Sequence, residues 1–195
     1  MLIFITGVGC VGKSTVGEKL AVLLNVSFFD LDKEIEKYFR ISLERMQNNF
    51  LTVYSFRKEA SKALKSIIAN NEGRDCVIAL PPSGLMEGYW REVKKAKGVT
   101  LALTDDPENI LKRIVFYDIE SRPIQRTLTD KEKRYYLGEI KKDITYFGKS
   151  YKRAAITVDI KGCNPDEAAH KVKSALESAL QKVGVTNTAA AGDLI

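Results

Sequence analysis

Gly7-Val8-Gly9-Cys10-Val11-Gly12-Lys13-Ser14-Thr15 is a complete G-x-x-x-x-G-K-[ST] loop. It follows the apolar run Leu2-Ile3-Phe4-Ile5 and opens a helix-patterned run from Val16 to Leu24. Strand, loop and helix thus come in the order that a phosphate-binding loop requires. Its glycines let the backbone curl with N–H groups pointing inward at an anion, and the helix amino terminus adds positive potential. In such a loop Gly9, Cys10, Val11, Gly12, Lys13, Ser14 and Thr15 surround the phosphates of a nucleotide. Lys13 reaches the β- and γ-phosphates, and the Ser14 hydroxyl ligands Mg²⁺. The loop therefore predicts ATP and Mg²⁺ as the cofactors.

The rest of the chain is read outward from that loop. Five short apolar runs are expected as strands: Leu2–Thr6, Val26–Phe29, Cys76–Leu80, Val99–Leu103 and Ala155–Val158. Helical patterns separate them, which implies βαβ units. The expected fold is a three-layer α/β P-loop fold: a five-stranded parallel sheet with helices on both faces and a lid segment. Helix starts are marked by Asp106-Pro107, by the capping box Thr129-Asp130-Lys131-Glu132, and by Asn164-Pro165-Asp166-Glu167. After the last of these, Ala169, Val172, Leu176, Ala179 and Val183 form an apolar stripe at helical spacing, expected to pack on the core. Residues 1–181 are read as one domain and 182–195 as a flexible tail. The polar, irregular stretch 116–128 carries Arg122 and Arg126 between two helices and is the expected lid; a plain helix connection is the alternative.

Composition narrows the function. The 195 residues are 45% hydrophobic and 29% charged, as in a soluble globular domain. No apolar run is long enough to cross a bilayer, and the start lacks the basic leader of a signal peptide, so no membrane partner is expected. The three cysteines, Cys10, Cys76 and Cys163, are scattered without a CxxC pair, which points to reduced thiols and a cytoplasmic protein. The net charge of +6 is spread among acids, as in Lys131-Glu132-Lys133-Arg134. That alternation marks a solvated helix face and no nucleic-acid partner. A polyanionic small substrate suffices as the reason for excess positive charge. His170 lies among alanines on the last helix and is read as a surface residue.

Two further features bear on chemistry. The second apolar run ends in Phe29-Asp30-Leu31-Asp32. Residues two apart on a strand face the same way, and ligands bind beyond the carboxyl ends of parallel strands. Asp30 and Asp32 are therefore expected beside the phosphate loop, one holding Mg²⁺ through water and the other orienting or deprotonating an attacking hydroxyl. A helix cap is the structural alternative for either. In Phe56-Arg57-Lys58-Glu59, the Arg57 fork suits a carboxylate or a phosphate; a plain surface arginine is the alternative.

The loop, the Asp30-x-Asp32 pair, Phe56-Arg57 and Arg122-Pro123 occur in the order and approximate spacing of shikimate kinases, within the nucleoside-monophosphate-kinase-like P-loop group. The resemblance spans residues 1 to about 180. It implies transfer of a phosphoryl group from ATP to a hydroxyl of a small hydroxylated acid, by a monomer. It implies that Lys13, Asp32 and Arg122 are catalytic, with Asp32 at the hydroxyl and Arg122 closing from the lid. Ser14 and Asp30 would hold the metal, and Arg57 the acceptor carboxylate. Arg113 resembles the arginine over the adenine. Val158-Asp159 followed by Asn164-Pro165 resembles the adenine-side loop, which places Asn164 at the nucleotide.

Two departures fall in the acceptor pocket. Where the family has three glycines after strand three, this chain has Pro81-Pro82-Ser83-Gly84, which removes N–H donors and stiffens the turn. Ser83 and Gly84 are the residues left there to meet the acceptor. The family also has a second carboxylate-binding arginine four residues before a tyrosine. Counting back from Tyr151 puts Phe147 at that position, with Lys149 and Arg153 as the nearby cations. Three readings stay open: a shikimate kinase, a related kinase for another hydroxylated acid such as a sugar acid, and a nucleotide-binding protein without catalysis.

Overall fold

Alternation along the central strands sorts the core into two halves. In the computed structural model, which describes residues 1–189, strand β1 (Leu2–Thr6) sends Ile3 and Ile5 to one face of the sheet and Phe4 to the other. β3 (Cys76–Ala79) does the same with Val77 against Cys76 and Ile78. Strands buried on both faces must be apolar throughout, and every residue of β3 is buried. The five parallel strands run in the order β2 (Ser27–Asp30), β3, β1, β4 (Val99–Thr104), β7 (Ile156–Asp159). Helices α1 (Lys13–Leu24) and α8 (Pro165–Ala189) cover one face, through Leu20, Ala21, Val172 and Leu176. Helices α2 (Leu31–Phe39), α3 (Leu43–Asn48), α4 (Val53–Asn70) and α5 (Glu87–Ala96) cover the other. The expected three-layer α/β architecture is present.

Strand ends differ from the expected ones for local reasons. α1 closes on Asn25 in the left-handed conformation (φ 53°), and the Val26 N–H donates to Ala21 O at 3.0 Å. Val26 thus belongs to the helix cap, and β2 starts at Ser27. The Ala155 N–H donates to the Thr100 hydroxyl at 2.9 Å instead of to a strand neighbour, so β7 starts at Ile156. Leu80 still bonds Ile5 O but leaves the ladder ahead of Pro81.

Between β4 and β7 lie α6 (Pro107–Lys112), a small hairpin and α7 (Asp130–Tyr151). The hairpin pairs β5 (Phe116–Tyr117) with β6 (Pro123–Ile124) and accounts for the segment read as irregular. α7 opens with the expected capping box between Thr129 and Glu132. α8 continues to Ala189, past the boundary expected at 181, so the first part of the supposed tail is helical; 190–195 lie outside the described residues. No helix among the described residues is long and apolar enough to cross a membrane.

Candidate active site

The phosphate loop leaves β1 at the centre of the sheet, where the chain moves to β2 on one side and to β4 on the other. That reversal opens a crevice beyond the carboxyl ends of β1 and β3. Gly7 has φ 150°, and a Cβ there would lie 2.8 Å from both Leu103 O and Val11 Cγ1, so only glycine fits. Gly12 caps α1 at φ 110°. A Cβ at Gly9 would meet nothing within 4 Å, so the mouth of the curl is open. Lys13 Nζ donates to Val8 O at 2.9 Å, which holds the ammonium inside the loop. Desolvation lowers the Lys13 pKa, and the negative groups of Asp32, Cys10 and Asp30 oppose that shift. Ser14 and Thr15 are exposed at the head of the helix. This cradle fits a phosphate chain, and the exposed Ser14 hydroxyl and the Asp30 carboxylate are oxygen donors of the kind that Mg²⁺ takes.

Asp30 and Asp32 do stand at the loop, although not as neighbours on one strand. β2 ends at Asp30, which caps α2 by accepting the Asp32 N–H at 3.1 Å. Asp32 sits in the first turn of that helix, so a cap turn brings the two carboxylates together. Among the described residues the second oxygen of Asp30 has no hydrogen-bond partner. Desolvation, then the charge of Asp30, raises the Asp32 pKa to about 6, against the opposing pull of Lys13.

From Asp32 a cavity of about 320 Å³ runs to Arg57, walled by Pro81, Pro82, Ser83 and Phe147. Arg57 is buried in α4 at 7% exposure, and its Nη1 lies 3.4 Å from Glu87 Oε1. Gly84 does not line this cavity: it is buried against Leu80, and a Cβ there would sit 2.4 Å from Leu80 Cβ. The stiff turn is fastened to α7 by its carbonyl, since the Tyr151 hydroxyl donates to Pro82 O at 3.0 Å. Phe147 lines the cavity from α7. The nearby cations do not replace it. Lys149 and Arg153 line a separate groove, and Arg153 donates to Leu85 O at 2.6 Å and lies over Trp90.

Of the nucleotide-side residues, Arg113 braces the loop: Nε donates to Cys10 O at 3.2 Å and Nη2 pairs with Asp105. Asn164 caps α8 instead, accepting from the N–H groups of Asp166 and Glu167 at 2.9 and 3.0 Å. In the hairpin that we read as a lid, Asp118 Oδ1 accepts from the Glu120 and Arg122 N–H groups and shapes the tip. That tip rests on α3: the Ser42 hydroxyl donates to Ile119 O at 2.6 Å, and Arg45 pairs with Glu120. The Arg122 side chain is exposed, and Arg126 is held at the lid's root by Glu132 and the Phe116 ring. The lid group that feels the site is Tyr117, whose phenol is shifted upward by desolvation and by the charges of Cys10, Asp30 and Asp32.

The family model for shikimate kinase matches residues 9–177, which include the loop from Gly9 onward, both aspartates, Arg57 and the hairpin. The chain belongs to the shikimate kinase family. Shikimate kinases are P-loop kinases that use ATP. The chain is 30% identical over 177 residues to the shikimate kinase of Caldanaerobacter subterraneus, covering 87% of this chain and 92% of that one. It is also 30% identical over 143 residues to the bifunctional shikimate kinase/3-dehydroquinate synthase of Thermotoga maritima, covering 70% of this chain but only 27% of that longer protein. The shikimate kinase of Aquifex aeolicus superposes with a TM-score of 0.67 at 27% identity, over 91% of this chain and 96% of that one.

Within this shikimate kinase framework, Glu87, Tyr89 and Tyr117 escaped the sequence reading. Glu87 and Tyr89 belong to α5, whose amphipathic pattern says only that one side is buried. Nothing in that pattern says which buried residue borders a cavity. Tyr117 carried one available signal, an aromatic residue in a segment already read as a lid.

Proposed function

We propose that this chain is a shikimate kinase, transferring the γ-phosphoryl group of ATP to a hydroxyl of shikimate. The carrying observation is that Asp32, which feels the charge of the loop's Lys13, lines the same cavity as Arg57. In this reading the acceptor carboxylate lies at Arg57, and its hydroxyl reaches Asp32. The hydroxyl oxygen bonds to the γ-phosphorus as the bond to the bridging oxygen breaks, and its proton passes to a carboxylate oxygen of Asp32. A base with a pKa near 6 is ionised at neutral pH yet close enough in strength to accept that proton. Lys13 balances charge on the phosphates, and Arg122 would add a second cation from the lid. Ser14 and Asp30 would hold Mg²⁺, which when bound neutralises charge on the β- and γ-phosphates. The protein's own contribution is position and charge, with no covalent intermediate.

The same reading takes the enzyme to be a cytoplasmic monomer without nucleic-acid or membrane partners. Lys133 and Lys142 pair with acids one turn away on α7, in keeping with a solvated face. A second reading, a kinase for another hydroxylated acid, is favoured by Phe147 and by the Pro81-Pro82 wall, which leave Arg57 as the one cation lining the cavity among the described residues. A coupled ADP-release assay with shikimate, gluconate and a panel of hydroxy acids separates the two. The first reading requires that shikimate give the highest kcat/KM; a higher value for another acid selects the second.

A further inference from the structure

The acceptor cavity has a wall residue to which neither the loop motif nor the family resemblance assigns a role. Tyr89 lines it from α5 and is only 1% exposed. Its hydroxyl has no hydrogen-bond partner among the described residues. The same holds for the Nε–H of Arg57, buried beside the same cavity. Two buried polar groups left unpaired at one cavity are unusual, because native proteins satisfy nearly all such groups.

The backbone around them is built for this placement. A Cβ at Gly88 would lie 2.9 Å from Ser61 Oγ and 3.2 Å from Arg57 O, so its absence lets α5 press against α4. That close approach sets Tyr89 next to Arg57. The preceding residue, Glu87, is held at φ 49°, a conformation side chains other than glycine rarely adopt. From there its carboxylate takes the Nη1 corner of Arg57 at 3.4 Å and leaves the Nε–H unused. Desolvation and the Asp32 charge push the phenol's pKa upward, against the pull of Arg57, so Tyr89 remains a neutral donor at every pH at which the enzyme works.

We propose that Tyr89 is a specificity-determining residue of the acceptor site, its hydroxyl and the Arg57 Nε–H together donating to the carboxylate of a compact hydroxylated acid. This rests on the kinase reading above and adds to it the group that helps Arg57 select an acid. A carboxylate has two oxygens, accepts from both donors at once and makes each bond charge-assisted; a neutral hydroxyl on the acceptor gives neither donor a charged partner. The apolar side of such an acceptor would lie against Phe147, Pro81 and Pro82. Using a phenol as the second donor keeps the cavity's charge low, since the one guanidinium is already offset by Glu87.

Tyr89→Phe removes only the hydroxyl and is the test, made on the full chain. With shikimate varied at saturating ATP, its KM should rise about tenfold, as for a lost hydrogen bond to a charged group. The KM for ATP should not change. The Tm of the ligand-free protein should hold or rise, because the variant deletes an unpaired buried oxygen. An active Tyr89→Phe enzyme with an unchanged acceptor KM overturns the proposal. So does a ligand-free Tm several degrees lower, which would mean that the phenol is a structural partner. If wild-type protein ignores shikimate but turns over another acid of the panel, the shikimate reading falls and the same KM comparison with that acid judges Tyr89. If no acid is turned over, the kinase reading falls, and this proposal with it.

Discussion

Asp32 combines two consequences of burial in one side chain. Desolvation beside Asp30 raises its pKa from an ordinary 3.8 to about 6. The base must be ionised to accept a proton, so kcat/KM for the acceptor should fall on the acid side with a midpoint near pH 6. Asp32→Asn should lower kcat by roughly 10²–10⁴-fold while ATP binding holds; equal losses in both would remove Asp32 from the proton-accepting role. The stability effect has a definite sign. The folded state holds the Asp32 proton more tightly than the unfolded chain, so this contribution is fully present below pH 4 and is lost as pH rises through 6. Denaturation of the ligand-free protein should show that loss, and Asp32→Asn should abolish it. Phe147 gives a second test at this scale. A Phe147→Arg side chain, lining the same cavity as Arg57, should lower the shikimate KM by roughly tenfold, the value of a charged hydrogen bond of about 1.5–3 kcal/mol. No change would mean that the acceptor carboxylate does not reach α7.

Among the elements, the lid hairpin is the one with divided loyalties. Its root is tied to α7 by the Arg126–Glu132 pair, and Glu132 is held down to a pKa of about 2 by the Thr129 N–H, the Thr129 hydroxyl and Arg126. Its tip is tied to α3 by Arg45–Glu120 and by Ser42 on Ile119 O. The root is built into a helix cap, whereas the tip contact is an exposed ion pair plus one hydrogen bond. Solvent screens an exposed pair, so this contact holds the tip only weakly. Arg45→Ala should therefore leave Tm nearly unchanged but shift the hairpin toward its open position. The expected readout is a several-fold rise in ADP release without acceptor, because an open lid admits water to the γ-phosphate. An unchanged background rate would show that the α3 contact does not control lid position.

Across the whole molecule, two cores share one sheet, and the crevice lies where their helices part. The nucleotide loop joins the half built on α1 and α8, and Arg57 and Tyr89 belong to the half built on α2–α5. Ligands that span the crevice should stabilise both halves together. At an ATP concentration near 100 times Kd, linkage contributes about 2.7 kcal/mol, or a Tm rise of roughly 5–10 °C for a domain of this size. Lys13→Ala should lose most of that rise and all measurable transfer while keeping the ligand-free Tm, since Lys13 makes one loop contact and packs in neither core. A lower ligand-free Tm would mean that Lys13 also supports the fold.

The local chemistry of the chain determined the loop with its Lys13, the five strands, and the caps at Thr129 and Asn164. Each is a short-range matter of glycine placement, apolar period or residue spacing, whereas Arg57 and Phe147 were singled out by the family resemblance. The tertiary structure decided what spacing cannot carry. A cap turn, not a shared strand face, brings Asp32 to Asp30. Asn164 is taken up by the cap of its own helix, Arg126 is drawn to Glu132 of α7, and Arg153 to Leu85 O and Trp90. Tyr89 reaches the acceptor cavity, and Glu87 reaches Arg57, because Gly88 lets α5 lie against α4. A helix announces which of its sides is buried. What that side meets depends on the neighbour it is packed against.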